Sequence, residues 1–111
     1  MKRDIFVTFQ LAGIHSYLNA PEQVSYLRYP HRHMFHFKVK LEVFHNNRDI
    51  EFIIFKNELI SLYNTDLDIN NKSCESIAEE LINYIVAKYP HRGITVEVSE
   101  DGENGAILSY E

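Results

Sequence analysis

"YPHRHMFHFKVKLEV", residues 29–43, decides the fold. From His33 onward, His33, Phe35, Phe37, Val39, Leu41 and Val43 fall on one side of an extended chain. Met34, His36, Lys38, Lys40 and Glu42 fall on the other. A period of two held over this length predicts a long strand with one face in a core. Asn46-Asn47 reads as its terminating turn. The stretch also holds three of the chain's six histidines. If the extension begins by residue 31, His31 and His33 project from one face and His36 from the other.

Toward the N-terminus, Ile5, Val7, Phe9 and Leu11 alternate with Phe6, Thr8 and Gln10, which predicts an earlier half-buried strand. The pattern breaks over 12–30 at Gly13, Asn19, Pro21 and Pro30, so a long loop is expected there, and such loops are uncommon unless functional. Toward the C-terminus, Phe52, Phe55, Leu59 and Leu62 recur at helical spacing and predict a helix over 52–63. After a polar break at 64–72, Ile77, Ala78, Leu81, Ile82, Ile85 and Tyr89 predict a second helix. Ser73 is its N-cap, Glu75, Glu79 and Glu80 suit its positive start, and Pro90 ends it.

Ile94, Val96 and Val98 then alternate as a third strand. Asp101-Gly102 and Asn104-Gly105 are turn signals, and 106–110 is a short last strand. The order β-β-α-α-β-β argues for an α+β fold: a four-stranded antiparallel sheet with two helices on one face, in a single domain over 1–111. "YPHR" occurs at 29–32 and again at 89–92, but the flanks do not match and no internal repeat is inferred.

The totals narrow the function classes. With 111 residues, 45% of them apolar, the chain can build one modest core. A net charge of −5 disfavours broad nucleic-acid binding. The single cysteine, Cys74, excludes an intrachain disulfide and a four-cysteine zinc site. The first residues lack the apolar core of a signal peptide, and no stretch approaches the roughly 20 apolar residues of a membrane span. A cytoplasmic protein without a membrane partner is therefore expected.

Two histidines at i and i+2 on a strand can share one ion, with zinc–nitrogen bonds of about 2.0–2.1 Å. By spacing alone, such a pair is more often a surface or packing feature than a metal site. A third ligand raises the metal reading. His15 is the best candidate, because pairing of the first two strands can bring it close. His36 and His45 are expected in solvent, and His91 in the turn after the second helix.

With its pieces in this order, the sequence resembles the 6-pyruvoyl-tetrahydropterin synthase and 6-carboxytetrahydropterin synthase family, the tunnelling fold. "IEFIIFK" (50–56) resembles that family's acidic-Phe helix start through Glu51 and Phe52. "SCESIAEEL" (73–81) resembles its Thr-x-Glu-x-x-Ala helix start through Ser73, Glu75 and Ala78. The resemblance implies zinc held by His15, His31 and His33. It also implies a pterin- or purine-like ligand and a homo-oligomer, trimer or hexamer, whose sheets join into a barrel. An uncovered sheet edge has the matching physics.

The departures fall on the family's catalytic positions. Its cysteine, four residues before the first histidine of the pair, is Leu27 here. A variant glutamate, three before, is Arg28. Neither can abstract a proton. The Leu-Asp-His motif is Leu67, Asp68, Ile69, which removes the catalytic histidine, and the glycine between the zinc histidines is Arg32. Strict strand alignment puts Val98 where the family anchors its heterocycle with glutamate, with Glu97, Glu100 and Glu103 nearby.

Cys74, at a helix start that lowers a thiol pKa, is the candidate substitute nucleophile or base; the alternative is a small semi-buried residue. Ser73, Glu75, Glu100 and Glu103 are the candidate ligand-binding residues, since a carboxylate matches a guanidine-like edge bidentately. Glu75 is equally a helix-dipole partner. Three functions follow from the resemblance and its departures. The chain is a divergent zinc-dependent, lyase-like enzyme of pterin or 7-deazaguanine chemistry, a binding or sequestering protein, or a structural oligomer module.

Overall fold

The quoted stretch is strand β2, His31–Val43, in the computed structural model, which describes residues 1–111 throughout. β2 pairs antiparallel with β1 (Arg3–His15) on one side and β3 (Ile94–Glu100) on the other, and β3 pairs with β4 (Asn104–Tyr110). The sheet order is β1-β2-β3-β4, with helices α1 (Phe52–Leu62) and α2 (Cys74–Lys88) inserted between β2 and β3. This is the α+β architecture that the β-β-α-α-β-β order predicts.

The alternation in β2 works as read. Phe35, Phe37, Val39, Leu41 and Val43 are buried, and the residues between them are not. The same inner face takes Val7 and Phe9 from β1 and Ile94, Val96 and Val98 from β3. Phe9 and Phe37 stack with ring centroids 4.6 Å apart and planes 11° apart. Such a pair adds about 0.5–1.5 kcal/mol beyond its buried area. The helices cover this face with Phe55, Leu59 and Leu62 from α1 and Ile77, Ala78, Leu81, Ile82 and Ile85 from α2. Phe52, counted in the α1 stripe, is exposed, although its spacing puts it on the same face of the helix as Phe55 and Leu59.

Between the helices sits a closed polar cluster. The Glu58 carboxylate accepts from the Tyr84 hydroxyl at 2.9 Å, from the Tyr89 hydroxyl at 2.6 Å and from the Lys88 ammonium. Burial alone would raise the Glu58 pKa. The bonds from Lys88, Tyr89 and Tyr84 outweigh it and hold the carboxyl below its ordinary 4.5.

Two expectations are corrected, and the condition that the extension begin by residue 31 is met. Residues 12–30 are not one loop: β1 runs on through Gly13 to His15, and Glu22–Arg28 winds as a 3₁₀ segment. Gly13 breaks the apolar pattern without breaking the strand. It pairs with His33, and a Cβ there would lie 2.8 Å from the Phe35 ring and 2.9 Å from Ile69. The missing side chain is a packing device. β2 begins at His31, two residues before its apolar alternation. Asn104-Gly105 is the start of β4, paired with Glu100 and Ser99; the turn is confined to 101–103, where Asp101 (φ 58°) and Gly102 (φ 73°) are left-handed.

Candidate functional site

The extension of β1 to His15 has a direct consequence. His15 and His31 are cross-strand partners at the loop end of the β1–β2 hairpin, and His33 pairs with Gly13 one step inward. All three histidines share the parity of the core residues on their strands, so all three face inward. His36 has the opposite parity. Ring centroids lie 5.2 Å apart for His15 and His31, 4.6 Å for His31 and His33, and 6.1 Å for His15 and His33.

Each ring is held through Nδ1 by a group that only accepts. His15 Nδ1 donates to the Lys72 carbonyl at 3.0 Å, His31 Nδ1 to the Tyr29 carbonyl at 2.8 Å, and His33 Nδ1 to Asp101 Oδ2 at 2.8 Å. A carbonyl or carboxylate requires the proton on Nδ1, so in the neutral rings the lone pair lies on Nε2. The Nε2 atoms of His31 and His33 are buried and have no hydrogen-bond partner.

A fourth acceptor stands among them. Glu100, the last residue of β3, continues the inward parity of Ile94, Val96 and Val98. Its oxygens lie 3.5 Å from His33 Nε2 and 3.9 Å from His15 Nε2. Four acceptors thus face one another with no donor between them. The side chains are not drawn into coordination distance: no group of three or more His, Cys, Asp or Glu side chains has metal-binding geometry.

A cleft of about 610 Å³ opens beside His15, lined also by Leu27, Ser73, Cys74, Glu75 and Glu100; His31 and His33 do not line it. Ser73 caps α2, its hydroxyl accepting from the Ser76 N–H at 3.1 Å, and Lys72 leads into the cap while its carbonyl holds His15. Cys74, the first residue of α2, is buried, and its thiol is pushed up to about 11 by burial and by the charges of Glu100 and Glu75. That is opposite to the shift a helix start alone would give. Desolvation and two carboxylates outweigh the dipole.

Glu75 is exposed on the first turn of α2. Glu103 does not join the cleft. It is exposed in the β3–β4 turn, where its N–H closes the turn on the Glu100 carbonyl at 3.1 Å. Leu27 projects an aliphatic chain into the cleft from the end of the 3₁₀ segment. Ile69 is buried against Gly13 as part of the core.

Two participants were not singled out for these contacts by the sequence. Glu100 becomes readable once the alternation of β3 is carried two residues past Val98. Asp101 was taken up entirely by its turn signal, yet its carboxylate accepts from the Met34 N–H at 3.0 Å and from His33. Those two bonds hold its carboxyl below the usual aspartate range.

The class of protein defined by this sheet order and helix placement is the α+β tunnelling fold. The chain is similar to a solved structure of the 6-pyruvoyl tetrahydropterin synthase of Plasmodium falciparum, with a TM-score of 0.70 over 98% of each chain and 16% sequence identity. At that identity the likeness shows the fold. By sequence, no family model and no curated protein matches the chain. No helix is long and apolar enough to cross a membrane.

Proposed function

We propose that the chain is a divergent, zinc-binding relative of the 6-pyruvoyl-tetrahydropterin and 6-carboxytetrahydropterin synthases. In this reading it keeps a pocket for a pterin- or purine-like ligand and does not carry out that family's standard reaction. The single observation behind this reading is the inward cluster of three Nε2 lone pairs, two of them buried and unpartnered, beside the Glu100 carboxylate. Buried acceptors without donors cost free energy, and a cation removes that cost.

The residues fit the group. Three histidines bound through Nε2 to one tetrahedral zinc, with bonds of about 2.0–2.1 Å, have ring centroids about 5 Å apart. The spacings of 4.6, 5.2 and 6.1 Å bracket that value. Side-chain torsion would close the set, since the strands carrying the rings are already paired. Imidazoles suit iron and nickel as well as zinc, and zinc is preferred by resemblance. Bound there, zinc supplies a Lewis-acidic fourth position.

The chain's own residues supply little proton transfer. Leu27 and Ile69 stand where the resembling family has its base and histidine. Cys74, the one thiol in the cleft, holds its proton at neutral pH, which supports a lining role over a reacting one. Ser73, Glu75 and Glu100 border the cleft and would contact a ligand's polar edge. Glu103 would do so only if the turn moved.

The oligomer belongs to the same reading. β1 and β4 are both edges of a four-strand meander. An even number of alternating strands lets β4 of one copy meet β1 of the next antiparallel, so a ring of copies continues the sheet without a break in pattern.

The test uses the purified full chain loaded with zinc. About one zinc per chain is expected. Calorimetry should show binding of a pterin or guanine nucleotide, and dihydroneopterin triphosphate should not be consumed. Consumption of that compound would overturn the non-catalytic part. Absence of both metal and ligand binding would leave the structural oligomer module.

A further inference from the structure

The three histidines are alike in their free Nε2 atoms and unlike in what fixes them. His15 and His31 lean on main-chain carbonyls, whose accepting character no substitution of the residue changes. His33 leans on a side chain. Asp101 is placed for this by three bonds to β2: its N–H donates to the Met34 carbonyl at 2.7 Å, its Oδ1 accepts from the Met34 N–H at 3.0 Å, and its Oδ2 accepts from His33 Nδ1 at 2.8 Å. One oxygen is committed to the backbone, so the other is fixed in front of the ring. Asp101 is left-handed (φ 58°) where the chain leaves β3, and its carboxylate lies against the neighbouring strand β2.

We propose that Asp101 is a positioning residue for the metal centre. It holds the His33 proton on Nδ1, so that Nε2 presents its lone pair to the ion. This rests on the His15–His31–His33 reading above. Carboxylate partners of ligating histidines fix ring orientation and tautomer and raise the basicity of the ligating nitrogen.

The geometry gives an asymmetric test. In Asp101→Asn, the amide oxygen keeps the Met34 N–H, and the amide NH₂ takes the place of Oδ2. That group donates, so Nδ1 must accept and the His33 proton moves to Nε2, where it blocks ligation. In Asp101→Ala, the ring loses its partner but nothing imposes the wrong tautomer. A structural role in the turn predicts the reverse order, because Asn preserves the turn better than Ala does.

The experiment is a zinc titration of the metal-free full chain against a chromophoric chelator, for the native protein and both variants, with ¹⁵N NMR of the His33 ring in the metal-free state. Zinc affinity should fall by about 10–100-fold in Asp101→Asn and by less in Asp101→Ala. The His33 proton should sit on Nδ1 in the native chain and on Nε2 in the Asn variant. Equal affinities in all three proteins, or an Asn variant still protonated on Nδ1, overturn the proposal. An Ala variant weaker than the Asn variant makes Asp101 a turn residue only. Should the Asn variant fail to fold, an Ala variant with native affinity and an unchanged Nδ1 proton also overturns it. A native chain that binds no zinc overturns the centre itself, and the Asp101 role falls with it.

Discussion

Two polar clusters in this chain are built on opposite plans. Between the helices, one acceptor, Glu58, is met by three donors from Tyr84, Tyr89 and Lys88. At the loop end of the β1–β2 hairpin, the Nε2 atoms of His31 and His33 have no hydrogen-bond partner, and the Glu100 carboxylate stands 3.5 Å from one of them. The first cluster is complete within the chain and adds rigidity. The second finds no such complement within the chain, and under the proposed reading a cation supplies it.

The largest expected effect strikes the incomplete cluster. Changing His31 and His33 together to Ala should abolish zinc binding, measured as metal content after dialysis, whereas His36→Ala on the opposite face should leave it intact. Loss of metal in the His36 variant would break the contrast, since it would mean that the inner face does not own the site. In the native chain, free zinc at a hundredfold over its dissociation constant should add about 2.7 kcal/mol of stability in urea unfolding, and the double variant should gain nothing.

A smaller effect is expected at the complete cluster. Glu58→Gln leaves donors without their charged acceptor and should cost about 1–3 kcal/mol, read as a shifted urea midpoint at pH 7. The native Glu58 carboxyl titrates below 4.5. A folded-state pKa depressed below the unfolded value gives stability that is present above the unfolded value and is lost as pH falls through the folded one. The gap between native and Gln proteins should therefore hold at neutral pH and close below about pH 4.5. Smallest of all, Tyr84→Phe removes one of the three donors and should cost about 0.5–1.5 kcal/mol. None of these helix changes should alter zinc affinity, and a change there would show that the two clusters are coupled.

The fold was largely legible because burial imposes a period on it. The β2 alternation, the helical stripes ending at Leu62 and Ile85, and the Ser73 cap each follow from one face meeting the core. What escaped was local exception. Gly13 signals a loop by its chemistry, but its strand conformation is set by Phe35 and Ile69 filling the space where a side chain would be. Asn104-Gly105 has turn chemistry, yet pairing with Ser99 and Glu100 claims it for β4. At the candidate site, the histidine pattern was readable because spacing of two needs no tertiary information. The contacts of Glu100 and Asp101 were hidden because they depend on β2 and β3 lying side by side, a relation 60-odd residues long in sequence and set by the two intervening helices.

The three groups that hold the imidazole rings, at Lys72, Tyr29 and Asp101, come from three segments far apart along the chain. The aim of His31 is set locally, whereas those of His15 and His33 each depend on a distant segment closing onto the sheet. A cation gripping all three would tie His15 to His31 and His33 across the 3₁₀ segment and stabilise the native chain by mass action, in a molecule whose lone thiol can form no disulfide within the chain.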